Sequence, residues 1–193
     1  NKVMERKNKV VGKLAKGVEF LMKKNKIAVY KGHGRLEGKG RVTVTAADGK
    51  ITEVPTKNII IATGSAPRLL PGLEIKSPRI VTSDELLDFD HVPKSLIVLG
   101  AGAVGVEFAS VFKRFGSEVT IIEMLDRLVP IEDAETSVEL QKAFRKRGIN
   151  VLTSTKFESA KVGAKEVEIS YTDAQGKAGK IKAETLLVAI GRR

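Results

Sequence analysis

The 193 residues include no cysteine and no tryptophan, aromatic side chains make up 5%, and there are six prolines. Without cysteine, these residues can hold no disulfide, no thiolate metal site and no cysteine nucleophile. Aromatics are so sparse that residues 1–50 offer only Phe20 and Tyr30, too few for a surface on which single-stranded bases stack. No apolar run approaches the ~20 residues that cross a bilayer. The lysine-rich start reads as a helix, not a signal peptide. His33 and His91 have no mutual spacing or acidic partners that suggest a metal, and both read as solvated. No Ser-His-Asp arrangement can be assembled.

What is present is the composition of a globular chain, 42% hydrophobic and 30% charged, of a length that suggests one or two domains. The net charge of +11 is unevenly placed, because residues 1–50 hold 14 Lys/Arg against 4 Asp/Glu. Such an arm could face nucleic acid, an acidic partner protein or phosphates, but without interleaved aromatics it reads as a solvated helix face and a lysine-rich hairpin. Neither nucleic acid nor membrane is expected as a partner.

The most informative stretch begins at Leu96. Leu96-Ile97-Val98-Leu99 runs into Gly100-Ala101-Gly102-Ala103-Val104-Gly105, and Val119-Thr120-Ile121-Ile122 then ends on Glu123. A glycine pattern of this kind arises easily by chance in a chain with 18 glycines; its context gives it meaning. An apolar strand precedes it, a helical pattern follows, and a second strand ends on an acid. In a dinucleotide-binding βαβ unit, Gly100 permits the tight turn, Gly102 lets backbone N–H groups approach a pyrophosphate, and Gly105 lets helix and sheet pack closely. The helix N-terminus offers free N–H groups to phosphate. Glu123 lies at the spacing expected of a carboxylate that accepts from ribose hydroxyls.

Along the rest of the chain, residues 3–24 read as an amphipathic helix, weakened by Gly12 and Gly17. Ile27–Tyr30 reads as a short strand, residues 35–54 as β patterning around the Asp48-Gly49 turn, and Ile59–Ala62 as an apolar strand. Prolines punctuate 66–95, where a short helix is expected at 83–87 after a Ser cap. Helices are expected at 104–115 and 134–147, the latter opened by Glu132, Asp133 and Glu135 as an acidic helix start. Strands are expected at 119–122, 151–152 and 186–189, with β patterning at 157–172 and 180–183. The order helix, strand, meander, apolar strand occurs at 3–64 and again at 134–191, which suggests a duplicated half-fold whose first copy lacks the glycine-rich unit.

Three segments, Ile59-Ile60-Ile61-Ala62-Thr63-Gly64-Ser65, Val98-Leu99-Gly100 through Glu107-Phe108, and Leu187-Val188-Ala189-Ile190-Gly191-Arg192-Arg193, together with the lysine-rich helix before Gly32-His33-Gly34, resemble the middle of the dihydrolipoyl dehydrogenases, within the two-dinucleotide-binding flavoprotein disulfide reductases. The resemblance covers nearly the whole chain. It implies an α/β, three-layer FAD/NAD(P)-binding (Rossmann-like) fold with β-meanders and two nucleotide-binding lobes, the first incomplete. It also implies residues 1–72 as a partial FAD-binding domain, 73–94 as a connector and 95–193 as an NAD-binding domain.

The resemblance implies two cofactors, FAD and NAD. Gly34 would lie against the FAD adenine, and Thr63, Gly64 and Ser65 would line the FAD pyrophosphate. Gly100, Ala101, Gly102, Ala103, Val104, Gly105 and Val106 would cradle the NAD pyrophosphate, Glu123 would meet the adenosine ribose, Phe157 would lie beside the NAD adenine, and Gly191 would sit near the nicotinamide end. Glu107 matches the glutamate that pairs with a flavin-side lysine. The family's first FAD-binding glycine motif, redox cysteine pair, flavin-side lysine and His-Glu acid–base pair have no counterpart in these residues. No catalytic residue is therefore assigned, and the fragment alone is not expected to catalyse.

A carboxylate at Glu123 repels a 2′-phosphate, so NAD is expected over NADP, although Arg127 four residues on would suit a phosphate. The resemblance further implies a parent homodimer within 2-oxo acid dehydrogenase complexes, located in the cytoplasm or, in a eukaryote, the mitochondrial matrix. A sister reductase acting on mercuric ion, oxygen or a second nicotinamide is the alternative enzyme. A non-catalytic nucleotide-binding module is the alternative from another class.

Overall fold

The computed structural model describes residues 2–38, 40–73 and 77–193. The chain divides into two compact units, Asn1–Gly64 and Ser65–Arg193.

The first unit contains α1 (Lys2–Lys24) and three strands, β1 (His33–Leu36), β2 (Arg41–Thr45) and β3 (Ile51–Pro55). The strands form an antiparallel sheet in the order β1-β2-β3, with Val42 opposite Val54 and Thr45 opposite Ile51 across the Asp48-Gly49 turn. Helix α1 forms where its apolar residues recur every three or four positions, yet Val10, Leu14 and Val18 are all exposed and no residue of α1 is buried. None of the described residues of 2–64 is buried.

Two sequence expectations fail here for one reason. Ile27–Tyr30 and Ile59–Ala62 form no strand, because an apolar run becomes a strand only beside another that completes its hydrogen-bond ladder. Neither has such a neighbour among the described residues, and Ile60 is 91% exposed.

The second unit holds the core. Five strands, β4 (Ile80–Val81), β5 (Ser95–Leu99), β6 (Glu118–Ile122), β7 (Asn150–Leu152) and β11 (Thr185–Val188), form one sheet in the order β4-β11-β5-β6-β7. All its pairings are parallel. Buried parallel strands read as continuous apolar runs, as Leu96–Leu99 and Leu186–Val188 do. Side chains nevertheless alternate between two packing faces. Leu96 and Val98 meet Val106, Ala109 and Phe112 of α3 (Ala103–Arg114) and Phe144 of α4 (Ala134–Lys146). Ile97 and Leu99 meet Val167, Ile169 and Ala183 on the other face.

Those last residues belong to an antiparallel meander of β8 (Lys156–Val162), β9 (Val167–Thr172) and β10 (Ala178–Ala183). Helices, parallel sheet and meander are the three layers expected from the sequence. Asp133 caps α4 by accepting from the Glu135 N–H at 2.8 Å, as its acidic start implied.

The residues expected as a connector lie within the second unit and carry secondary structure of their own. Residues 74–76 of the expected 73–94 span lie outside the described residues. From Ser77 onward the chain supplies β4, which extends the parallel sheet, and α2 (Ser83–Leu86). The cap of α2 is Thr82, not Ser83: its hydroxyl accepts from the Asp84 N–H, and the Glu85 carboxylate accepts from the Thr82 N–H at 2.8 Å, completing a capping box. Ser83 is instead the first helical residue.

Candidate dinucleotide-binding site

Strands β5, β6 and β11 lie side by side and end together. Their carboxyl ends open onto a cleft of about 670 Å³, lined by Leu99 and Gly100 after β5, Ile122 and Glu123 after β6, and Ala189 and Gly191 after β11. In open α/β sheets, ligands bind beyond the carboxyl ends of strands where the connections diverge to either side. Strand β5 is that point here, with β6 on one flank and β11 on the other.

The glycine turn owes its shape to two close approaches. Gly100 has φ +101°, and a Cβ there would lie 2.5 Å from the Ala189 carbonyl oxygen. Gly105 is tighter still, since its Cβ would meet the Gly100 carbonyl oxygen at 2.0 Å. Side chains at these positions are excluded by the protein itself.

Gly102 differs. It is the N-cap of α3 with ordinary φ −69°, and a Cβ there would meet nothing within 4 Å. Gly102, Ala103 and Val104 line the cleft, and no side chain caps the helix, whose first-turn N–H groups lack intrahelical partners. An anion approaching the Gly102 backbone would find space, N–H donors and the positive end of the helix dipole together. The residues present therefore fit a dinucleotide pyrophosphate.

Glu123 stands at the cleft with both carboxylate oxygens engaged. Oε2 accepts from the Ala101 N–H at 2.7 Å and Oε1 from the Leu125 N–H at 2.8 Å. A carboxylate has about four lone-pair sites, so two remain for hydroxyls. Phe157 lines the same cleft, from β8. Arg127 does not line it; its guanidinium donates to the Pro130 carbonyl at 3.3 Å, and its Nε is buried without a partner.

The structure thus gathers Gly100, Gly102, Ala103, Val104, Glu123, Phe157 and Gly191 around one cleft. It puts Ala101 and Val106 in the core beneath the turn and Gly105 in the helix–strand contact. Glu107 is exposed on α3, outside the lining. Gly34 lies on β1, and Thr63 and Gly64 are exposed at the end of the first unit.

Arg192 was not singled out from the sequence, although it follows Gly191 directly. It lines the cleft, donates from Nε to the Ser65 hydroxyl at 2.8 Å and from Nη2 to the Ser65 carbonyl at 2.7 Å, and pairs with Asp84 at 3.3 Å. Lys156, beside Phe157, also lines the cleft. His91 does have acidic company: its Nδ1 lies 2.8 Å from Asp90 and its ring stacks on Phe89. No group of three potential metal ligands occurs among the described residues.

The pyridine nucleotide-disulphide oxidoreductase family model matches residues 1–193. The chain belongs to this family. It is 45% identical over 192 residues to dihydrolipoyl dehydrogenase 3 of Pseudomonas putida, covering 99% of this chain and 41% of that protein. It is 42% identical over 202 residues to dihydrolipoyl dehydrogenase of Bacillus subtilis, covering all of this chain and 42% of that protein. The chain therefore spans about two fifths of the length of these relatives. Among solved structures, LpdA of Mycobacterium tuberculosis superposes with a TM-score of 0.87 at 27% identity, covering 99% of this chain and 42% of that one. The flavoprotein disulfide reductase RclA of Escherichia coli superposes at 0.83 and 28% identity, covering 100% and 42%. The three-layer fold inferred from the sequence is the fold of this family.

Proposed function

We propose that this chain is the NAD-binding region, with part of the FAD-binding region, of a dihydrolipoyl dehydrogenase whose parent protein oxidises dihydrolipoamide and reduces NAD. One observation carries the reading: the free backbone space at Gly102 and the Glu123 carboxylate share a cleft at the carboxyl ends of β5 and β6. Gly102, Ala103 and Val104 would hold the pyrophosphate, Gly100, Ala101, Gly105 and Val106 would shape the turn, and Glu123 would accept from the adenosine ribose. Phe157 would flank the adenine, and Gly191 would border the nicotinamide end. Bound NAD supplies a hydride acceptor. The chain's own residues bind and orient it.

Gly34, Thr63, Gly64 and Ser65 would contribute one wall of the FAD site. Gly64 suits this role, since its Cβ position is open, whereas the polar groups of Ser65 are already held by Arg192. In the parent, Glu107 would pair with a lysine beside the flavin; its exposure on α3 leaves it available. The carboxylate of Glu123 favours two ribose hydroxyls over a 2′-phosphate. We place the parent in the cytoplasm, or the mitochondrial matrix of a eukaryote, as a homodimer serving 2-oxo acid dehydrogenase complexes. No helix among the described residues is long and apolar enough to cross a membrane.

NADH and NADPH titrations of the protein, followed by nicotinamide fluorescence, test the cofactor assignment. NADH should bind at least ~10-fold more tightly, since a desolvated like-charge contact costs more than ~1.4 kcal/mol. Equal affinities would overturn it. Reduction of NAD by dihydrolipoamide in the full-length parent tests the substrate class. The likeness to RclA favours a sister flavoprotein reductase as the second reading, and a parent inert towards dihydrolipoamide would support it.

A further inference from the structure

Glu123 does more than face the cleft. Its backbone N–H donates to the Leu152 carbonyl at 2.8 Å, and its carbonyl accepts from the Thr155 N–H at 2.9 Å. Its two carboxylate oxygens take the Ala101 and Leu125 N–H groups. Every polar group of Glu123 thus has a partner in the protein, even with two carboxylate lone pairs to spare.

Ala101, the residue between the first two glycines, is 0% exposed. Its N–H reaches Glu123 Oε2 at 2.7 Å, and its carbonyl accepts from the Val129 N–H at 2.8 Å. Both polar groups of this buried residue are therefore satisfied by a single loop, residues 123–129, and by neither its own strand nor its own helix. Val129 has φ +41°, a region that β-branched residues rarely enter. It is held there by burial at 8% exposure and by the bond to Ala101. The loop is fastened in turn to the start of the meander, where the Ser154 N–H donates to the Leu125 carbonyl at 2.8 Å.

We infer that Glu123 and Val129 are positioning residues for the phosphate-binding turn, clamping Ala101 from both sides so that the Gly102 backbone is set before any ligand arrives. The inference rests on the dinucleotide reading of the cleft. It gives Glu123 a second task beyond its ribose contact, and with it a distinct consequence. Removing the carboxylate frees a buried N–H that must then find another partner, and the turn moves with it. Replacing Glu123 to admit NADP would therefore weaken both dinucleotides rather than exchange one for the other.

Two ligands separate the tasks. Adenosine presents the ribose without phosphate, and ADP adds the pyrophosphate. In Glu123→Ala, ADP affinity measured by NMR titration should fall at least ~10-fold further than adenosine affinity, the factor that corresponds to one unsatisfied buried donor. Equal losses for both ligands would overturn the positioning role and leave Glu123 as a ribose acceptor alone. Hydrogen exchange supplies a readout that needs no ligand: the Ala101 amide should exchange ~10-fold or more faster in the variant, with Ile97 and Val98 unchanged. An unaltered Ala101 amide would also overturn the inference.

Glu123→Gln covers the case in which the alanine variant fails to fold. Its remaining carbonyl oxygen can still accept from Ala101, so the ratio of ADP to adenosine affinity should stay near that of the unaltered protein. A ratio that collapses in Glu123→Gln while the Ala101 amide stays protected would count against the clamp. If the unaltered protein binds neither NADH nor ADP, the dinucleotide reading fails, while the exchange result still decides whether Glu123 holds the turn.

Discussion

Gly105 lies so close to Gly100 that a Cβ on the first would come within 2.0 Å of the carbonyl oxygen of the second. This contact brings the first turn of α3 against the end of β5. It explains why the third glycine of the motif answers to the protein, whereas Gly102 has open space around its Cβ position and answers, in the reading proposed above, to a ligand.

That contrast predicts opposite phenotypes. Gly105→Ala should lower stability by about 2–4 kcal/mol, because the clash is with backbone and cannot be relieved by a rotamer change. Gly102→Ala should stay within ~0.5 kcal/mol of the unaltered protein yet weaken NADH at least ~10-fold by occupying the approach to the backbone. Thermal unfolding and NADH titration of both variants check this. A destabilised Gly102→Ala with normal NADH affinity would reverse the assignment.

The two units should differ in resistance to protease. No described residue of 2–64 is buried, whereas the second unit encloses two apolar clusters. Cleavage requires local opening, which is least costly where few apolar contacts are lost. Limited proteolysis followed by mass spectrometry should yield a persistent fragment beginning near Ser65. Survival of 2–64 with loss of 95–191 would contradict the packing described.

The α2 cap makes a small contribution that depends on pH. The Thr82 hydroxyl, followed by the Thr82 N–H, holds the Glu85 carboxyl below the usual carboxylate range. A group with a lowered folded pKa stabilises at pH above its unfolded value and loses that contribution as pH falls through the folded value. Stability should therefore decline below about pH 4.3, and the acid limb should be shallower in Glu85→Gln. Melting temperatures of the two proteins between neutral and acid pH report the difference, and parallel curves would remove Glu85 from the account.

Arg192 secures the chain at the boundary of the second unit. Arg192→Met keeps the aliphatic stem but removes four donor contacts to Ser65, Ser83 and Asp84. These are largely exposed, so the stability loss should be about 1 kcal/mol or less. Backbone exchange at residues 65–68 should nonetheless quicken. Unchanged exchange there would show that the bonds between Ala66 and Arg193 suffice on their own.

The centre of the parallel sheet was legible in the sequence because β5 and β11 are nearly continuous apolar runs that lead into glycine turns, and burial on both faces demands that composition. The same signal misled at Ile27–Tyr30 and Ile59–Ala62: apolar content records a tendency to be covered but not the neighbour that does the covering. Strand β4 was hidden because Ile80-Val81 is too short to show a period. Thr82 displaced Ser83 as a cap because either hydroxyl suits the role, and only the backbone geometry selects between them.

For the site, sequence alone determined the glycine turn, the acid 23 positions after Gly100 and the expectation that they serve one ligand, because each is a local requirement of a βαβ unit. Tertiary structure decided which glycines are confined by the protein and which has open space beside it, and it brought Phe157, Gly191 and Arg192 to the same cleft. It also revealed that Glu123 and Val129 grip Ala101 from both sides. These relations join residues far apart in the chain or in separate loops, and spacing in a sequence does not encode the distance across a folded sheet.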